Sequence, residues 1–201
     1  MSENKHRAGF VNIIGNPNVG KSTLMNALVG EKLSIVTAKA QTTRHRIMGI
    51  VNTDDFQIVY SDTPGILKPN YRLQKNMMNF VDTAIGDADI ILYVTDTVEK
   101  ADKNDEYIAK LQKVDCPVVL VINKIDISDQ PKVMELMAWW KEQLPKAEIS
   151  RHPRRSGSTW KASWTPWCPA CRLPRRGSTR MPSPTGTCGS SHRKSSGRRS
   201  C

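Results

Sequence analysis

Eight residue types are missing from residues 151–201 of this 201-residue chain, namely Ile, Val, Phe, Tyr, Asn, Gln, Asp and Glu. The same segment contains ten Arg, ten Ser, six Pro and five Gly. Such a composition cannot bury enough apolar surface to offset the entropy lost on ordering, which excludes a core of its own. We therefore predict that residues 151–201 form a disordered tail and that residues 1–150 form one folded domain.

The lack of acidic residues in the tail accounts for the formal net charge of +11. Residues 1–150 contain all 19 Asp and Glu with 18 Lys and Arg, a charge of −1. Residues 151–201 contain 12 Lys and Arg and no acid, a charge of +12. The folded part is thus nearly neutral, and the charge predicts at most non-specific, salt-sensitive binding of nucleic acid by the tail.

Cysteine is scarce in the folded part, where Cys116 stands alone. A single thiol forms no internal disulfide and is typical of a reducing cytoplasm. The sequence also lacks a signal peptide and any apolar run long enough to span a membrane. In the tail, Cys168, Cys171, Cys188 and His192 have zinc-like spacing, but no strand pattern surrounds them, so a zinc site is the less favoured interpretation.

Apolar runs alternate with helix-like stretches through residues 1–150, as a mostly parallel α/β sheet requires. The predicted strands are residues 10–14, 47–51, 56–60, 90–95 and 118–122. The predicted helices are residues 21–29, 77–85, 103–112 and 132–143. We expect the second and third strands to pair antiparallel through a turn at residues 52–55, and one of Trp139 and Trp140 to pack on the core.

A phosphate-binding pattern, G-x-x-x-x-G-K-[ST], follows the first predicted strand and opens the first predicted helix. Its residues are Gly15, Asn16, Pro17, Asn18, Val19, Gly20, Lys21 and Ser22, with Thr23 next in the helix. Glycines let backbone N–H groups surround phosphate oxygens, and the helix N-terminus adds partial positive charge. We predict that Lys21 reaches the outer phosphates and that the Ser22 hydroxyl binds Mg²⁺.

Two further motifs follow buried strands. Asp62-Thr63-Pro64-Gly65 supplies a carboxylate that can hold Mg²⁺ through water and a glycine N–H that can swing toward the γ-phosphate. Asn123-Lys124-Ile125-Asp126 supplies a carboxylate that can accept both donors of the guanine edge, N1–H and N2–H₂. Adenine has no such donor pair, so the three motifs in this order predict GTP or GDP as the ligand.

With these motifs in place, residues 6–149 resemble the Era family of Ras-related P-loop GTPases. The resemblance is carried by a segment like that family's first switch region, Lys39-Ala40-Gln41-Thr42-Thr43-Arg44-His45-Arg46-Ile47-Met48-Gly49-Ile50. It implies that Thr42 or, more strongly, Thr43 completes Mg²⁺ coordination when GTP is bound. Taken alone, the same loop also suits a solvated basic surface.

The resemblance implies a slow GTPase, with Lys21, Thr43 and Gly65 as catalytic residues. Ras-like GTPases orient the attacking water with a Gln after the DxxG glycine. The residue here is Ile66, which cannot do so, and the Era family shares this departure. Asn18 matches an Asn that helps to hold K⁺ in related GTPases, although it also suits the tight geometry of the loop.

Beyond residue 150 the resemblance implies a last strand, a Ser-Ala motif that contacts guanine, a closing helix and a KH-type RNA-binding domain. Residues 151–201 match none of these. We therefore expect a domain without its last strand and helix, and hypothesise that the tail is read out of frame. With permitted codons shifted by one nucleotide, residues 193–201 can encode Ile-Ile-Arg-Glu-Lys-Ile-Leu, which resembles the family's approach to its KH domain.

The function that follows is a cytoplasmic, bacterial GTP-hydrolysing switch for assembly of the small ribosomal subunit, with 16S rRNA as partner. Peripheral association with the inner membrane also comes from the resemblance. Two alternatives stay open: a non-functional truncated product, and non-specific RNA binding through the basic tail.

Overall fold

The computed structural model describes residues 7–34, 43–54, 56–98 and 105–151, and the tail lies outside these ranges. Six strands and four helices make up the described fold. In chain order they are β1 (Arg7–Gly15), α1 (Lys21–Val29), β2 (Ile47–Asn52), β3 (Phe56–Asp62), α2 (Arg72–Gly86), β4 (Ile90–Asp96), α3 (Asp105–Lys113), β5 (Val118–Asn123), α4 (Gln130–Gln143) and β6 (Glu148–Arg151). No helix within these ranges is long and apolar enough to cross a membrane.

The strands form one sheet in the order β2-β3-β1-β4-β5-β6. Only β2 and β3 pair antiparallel, and every other pair is parallel. The Thr53 N–H donates to the Phe56 carbonyl (2.9 Å) and closes the β2–β3 turn. The predicted α/β sheet and its antiparallel hairpin are confirmed. The carboxyl ends of β1, β3, β4 and β5 therefore lie along one edge of the sheet.

Helices cover both faces of the sheet. Successive strand residues point to opposite sides, and apolar residues on each side form a core cluster with the helices. On one face, Val11 and Ile13 of β1 pack in a core cluster with Leu24 and Met25 of α1. On the other, Ile14 belongs to a cluster shared with α2, α3 and α4. That second cluster buries Met77, Val81, Ile108, Leu111, Tyr93 and Trp140. Trp140 is 2 % exposed, which confirms the prediction that one Trp of the pair packs on the core.

Helix α2 begins at Arg72, so the predicted start at residue 77 is wrong. Residues 72–76 are mostly polar and exposed and show little periodicity. Their first turn is held by Gln74, whose Oε1 accepts the Asn70 N–H at 2.8 Å. Helix α4 likewise begins two residues before its predicted start, at Gln130. For α3, the predicted start at residue 103 lies outside the described residues.

The expected absence of a last strand is wrong. Residues Glu148–Arg151 form β6, which pairs parallel with β5 and places Leu120 opposite Ile149. The strand was missed because it is four residues long, with Ile149 as its one apolar residue. Hydrogen bonds to β5 and contact of Ile149 with the second core cluster stabilise it instead. The closing helix expected after it would fall outside the described residues.

Gly15 ends β1 in a position that excludes a side chain. Its φ is 151°, and a Cβ there would lie 2.1 Å from the carbonyl oxygen of Val94 on β4. We expect Gly15→Ala to lower the free energy of unfolding by about 3 kcal/mol or more, because the parallel pairing must shift. Urea denaturation of the nucleotide-free protein measures this effect.

Gly86 provides the matched control for that substitution. It is the last residue of α2, and an added Cβ there would meet no atom within 4 Å. Gly86→Ala should be neutral or stabilise the protein by about 0.5–1 kcal/mol, since alanine favours helix. Equal destabilisation by both substitutions would contradict the assignment of Gly15 to a sterically closed position.

Candidate nucleotide-binding site

The loop from Gly15 to Ser22 connects β1 to α1 through several left-handed residues. Gly20, the N-cap of α1, has φ 98°, and Asn18 has φ 64°. No side chain caps the helix N-terminus, and its first turn contains no acid. The exposed Asn18 tolerates positive φ, as asparagine does more readily than most residues. A loop with an uncapped helix N-terminus is typical of an anion site.

Lys21 occupies an unfavourable position for a cation, because it is buried at the N-terminus of a helix. It is the first residue of α1, where the helix dipole is positive, and it is only 7 % exposed. Its Nζ donates to the carbonyl oxygen of the buried Asn16 at 2.7 Å. Burial and the dipole both disfavour the ammonium, and a bound phosphate would offset both.

Three oxygen-bearing side chains meet at the carboxyl end of β3. The Ser22 hydroxyl donates to Asp62 Oδ2 at 2.6 Å. The Thr43 hydroxyl lies 3.4 Å from both the Ser22 hydroxyl and Asp62 Oδ2. Asp62 is fully buried, and its Oδ1 has no hydrogen-bond partner within the described structure. Burial raises the pKa of Asp62, while the Ser22 hydroxyl and the charge of Lys21 act in the opposite direction.

This cluster fits Mg²⁺. Magnesium in phosphate sites takes one or two carboxylates with hydroxyl, water and phosphate oxygens, and the cluster has oxygen donors only. A buried carboxylate with one unpartnered oxygen is also stabilised by a nearby cation. The predicted metal residues Ser22, Thr43 and Asp62 are thus brought together, whereas Thr42 lies outside the described residues. The cysteines of the alternative zinc site, Cys168, Cys171 and Cys188, also lie outside them.

The second motif packs against the phosphate loop. The Ile66 N–H donates to the Gly15 carbonyl at 3.0 Å, and the Thr63 hydroxyl donates to the Ile13 carbonyl at 2.8 Å. A Cβ at Gly65 would lie 2.7 Å from the backbone nitrogen of Pro17, so this position closely contacts the loop. Pro64 lies between Thr63 and Gly65 in the chain. The Ile66 side chain is 4 % exposed and belongs to the second core cluster, where it cannot orient water.

The third motif is tied to the same loop by two side chains. Asn123 Nδ2 donates to the Val19 carbonyl at 2.9 Å. Lys124, with φ 58°, donates from Nζ to the Asn18 carbonyl at 2.7 Å. Ile125 and Asp126 follow in a short 3-10 turn, with Asp126 exposed. The candidate residues Gly15–Thr23, Asp62–Ile66 and Asn123–Asp126 thus lie at one edge of the sheet.

Asp96 is a site residue that the motifs did not reveal. It ends β4 directly opposite Asn123, and its Oδ2 accepts the Lys124 ammonium at 2.6 Å. Its Oδ1 accepts the Val98 N–H at 3.1 Å. The signal available in the sequence was a carboxylate at the end of a buried strand, the same signal that marked Asp62.

The comparisons with known proteins agree with this geometry. Residues 10–124 match the family model described as "50S ribosome-binding GTPase". GTPase Era of Clostridium kluyveri is 46% identical over 144 residues, which are 71% of this chain and 49% of the relative. The chain therefore spans about half the length of the curated relatives it matches.

Two solved structures are also similar. One is a single-residue variant of Aquifex aeolicus Era bound to GDP·AlF₄⁻, with 39% identity, a TM-score of 0.66, and coverage of 72% of this chain and 50% of that one. The other is Era in complex with MgGDPNP and nucleotides 1506–1542 of 16S ribosomal RNA, with 38% identity and a TM-score of 0.66. That match covers 73% of this chain and 51% of the other. The chain belongs to the family of 50S ribosome-binding GTPases, and its GTPase domain is Era-like.

Proposed function

We propose that this chain binds GTP with Mg²⁺ and hydrolyses it to GDP and phosphate. The observation that carries the proposal is the hydrogen bonding of two motifs to the phosphate loop. Ile66 donates to Gly15, and Asn123 donates to Val19. One nucleotide could therefore contact all three segments at once, with its phosphates at the loop and its base at Asp126.

Within this proposal, each residue has a separate task. Lys21 neutralises charge on the outer phosphates, and the backbone N–H of Gly65 senses the γ-phosphate. Ser22, Thr43 and Asp62 hold Mg²⁺, which would offset charge on the phosphate oxygens when bound. Asp126 accepts the guanine donors, and Lys124 is held beside it by Asp96 and Asn18.

The hydrolysis step lacks a water-orienting side chain at position 66. Since Ile66 is buried in the core, we propose slow intrinsic hydrolysis that depends on another group. A K⁺ ion near Asn18 is one such group, and a rate that falls when K⁺ is replaced by Na⁺ would support it. An unchanged rate would contradict a role in K⁺ binding. The positive φ at position 18 would then explain why asparagine occupies it.

A titration with fluorescent GDP in Mg²⁺ buffer, competed with GTP and with ATP, tests the binding proposal. We expect saturable binding that GTP displaces and ATP does not. Lys21→Ala should weaken the affinity by about a hundredfold, since a buried charge-assisted phosphate contact is lost. Lys32→Ala removes the same charge from an exposed position and should leave the affinity unchanged. Absence of binding by the unmodified protein would refute the proposed function.

We further propose that the chain derives from a bacterial, cytoplasmic factor of small-subunit assembly. The support is the similarity to Era, one relative of which was solved with 16S ribosomal RNA. Peripheral contact with the inner membrane and specific rRNA binding belong to the same proposal. Because the chain spans half of those relatives, the RNA-binding step needs its own measurement, by titration of a 16S rRNA 3′ fragment.

The basic tail favours a second candidate, non-specific RNA binding. A charge of +12 on residues 151–201 would bind phosphates with an affinity that falls steeply with salt. We also propose that these residues are an out-of-frame reading of the gene. The nucleotide sequence of the gene tests this: an intact frame with no better alternative would overturn it.

A further inference from the structure

Arg46, the eighth residue of the switch-like segment, is the centre of a polar cluster. It directly precedes β2, and its side chain is only 11 % exposed. Its Nε donates to the Ser61 hydroxyl of β3 at 2.6 Å, and Nη2 donates to Asn12 Oδ1 of β1 at 2.8 Å. Nη1 pairs with Asp87 Oδ2, and Nη2 also donates to Asp87 Oδ1 at 3.1 Å.

Asn12 and Asp87 join this cluster to the end of α2. Asn12 is fully buried in a central strand, and its Nδ2 donates to the Ala84 carbonyl at 2.6 Å and to Asp87 Oδ1 at 2.7 Å. Asp87 is the C-cap of α2. The guanidinium therefore also lies where the helix dipole is negative, which stabilises a cation. Arg46 forms four of the six hydrogen bonds described in this cluster.

The Arg46 cluster lies between two segments that lead to the proposed Mg²⁺ residues. One is the segment of Thr43, and the other is the segment of Gly65. Thr43 is three residues before Arg46, and Ile47, the next residue, pairs with Asp62. On the other side, α2 follows the Gly65 segment and ends at the cluster. His45 adds a ring contact to Phe80 of α2, with centroids 5.8 Å apart. Residues 45 and 46 are thus fastened to α2 while Thr43 reaches Asp62.

We propose that Arg46 is a positioning residue that holds Thr43 in place for the triphosphate state. This rests on the proposed function, in which Thr43 completes Mg²⁺ coordination only when GTP is bound. In this proposal Thr43 does not bind Mg²⁺ when GDP is bound. Loss of Arg46 should therefore lower the affinity for GTP more than the affinity for GDP. A residue with a merely structural role would lower both affinities together.

The test compares affinities for the Mg²⁺ complexes of GDP and of a non-hydrolysable GTP analogue. Arg46→Ala should lower the analogue affinity relative to the GDP affinity by about tenfold, a typical coupling between two elements. Arg46→Lys should restore little of the ratio, because an ammonium cannot bind three partners with the geometry of a guanidinium. Arg44→Ala, two residues away and exposed, removes the same charge and should leave the ratio unchanged.

Asp87→Asn decides the question if Arg46→Ala does not fold. The amide keeps one acceptor oxygen, while its NH₂ group replaces the other, so the ion pair and the hydrogen bond to one carboxylate oxygen are lost. Asp87 is 44 % exposed, so the variant should fold. It should shift the ratio in the same direction by a smaller factor. Equal loss of both affinities, or a lower melting temperature with an unchanged ratio, overturns the proposal. If the unmodified protein binds neither nucleotide, the proposed function fails instead.

Discussion

Asp126→Asn is expected to exchange guanine for xanthine as the preferred base. A carboxylate accepts both N1–H and N2–H₂ of guanine, whereas an amide has one acceptor and one donor. Xanthine carries a carbonyl oxygen in place of the N2 amine, so it matches the amide. A polar site that is left with mispaired groups rejects a ligand strongly, and we expect GTP affinity to fall on the order of a thousandfold.

Competition of GTP and XTP against fluorescent GDP and XDP measures this exchange. Asp129→Asn makes the same chemical change three residues further on. Asp129 is exposed, and its side chain forms no capping hydrogen bond at the start of α4. It should leave the preference for guanine unchanged. If Asp126→Asn weakens GTP binding without any gain for XTP, base recognition by Asp126 is wrong.

Asp62→Asn is expected to remove the benefit of Mg²⁺ and to leave the nucleotide-free fold intact. The amide oxygen still accepts the Ser22 hydroxyl, and a buried charge disappears. Because burial raises the pKa of Asp62, its ionised form is less favourable in the folded protein than in the unfolded chain. We expect a change in the free energy of unfolding below about 1 kcal/mol.

Nucleotide affinity should respond very differently. In the unmodified protein, EDTA should weaken binding on the order of a hundredfold, whereas in Asp62→Asn the affinity with Mg²⁺ should equal that with EDTA. Asp54→Asn, in the exposed turn before β3, is the matched control and should retain the response to EDTA. A full response to Mg²⁺ in Asp62→Asn would contradict the metal assignment.

The elements that were predicted well are those whose signal is local. The runs of β1, β4 and β5 are apolar at almost every position because helices cover both faces of a parallel sheet. The three motifs follow β1, β3 and β5, which run parallel, so the meeting of Lys21, Asp62 and Asn123 at one edge follows from strand direction alone.

The features that were missed depend on contacts between distant segments. Strand β6 owes its existence to pairing with β5, since Ile149 is its one apolar residue. Asn12 is a polar residue in a buried strand, and the sequence alone does not show its partners. In the structure these are Arg46 and the end of α2. Asp96 belongs to none of the three motifs. Its ion pair with Lys124, at 2.6 Å, is evident only from the structure.

Gly20 and Asn123 illustrate how such contacts limit the ways in which a lineage can change. A Cβ at Gly20 would lie 2.3 Å from Asn123 Nδ2, and that amide holds the Val19 carbonyl across 104 residues of sequence. Any larger residue at position 20 must push the amide away and release the loop. A substitution at position 20 would therefore also disturb the guanine-motif residue Asn123, although the two residues are far apart in the sequence.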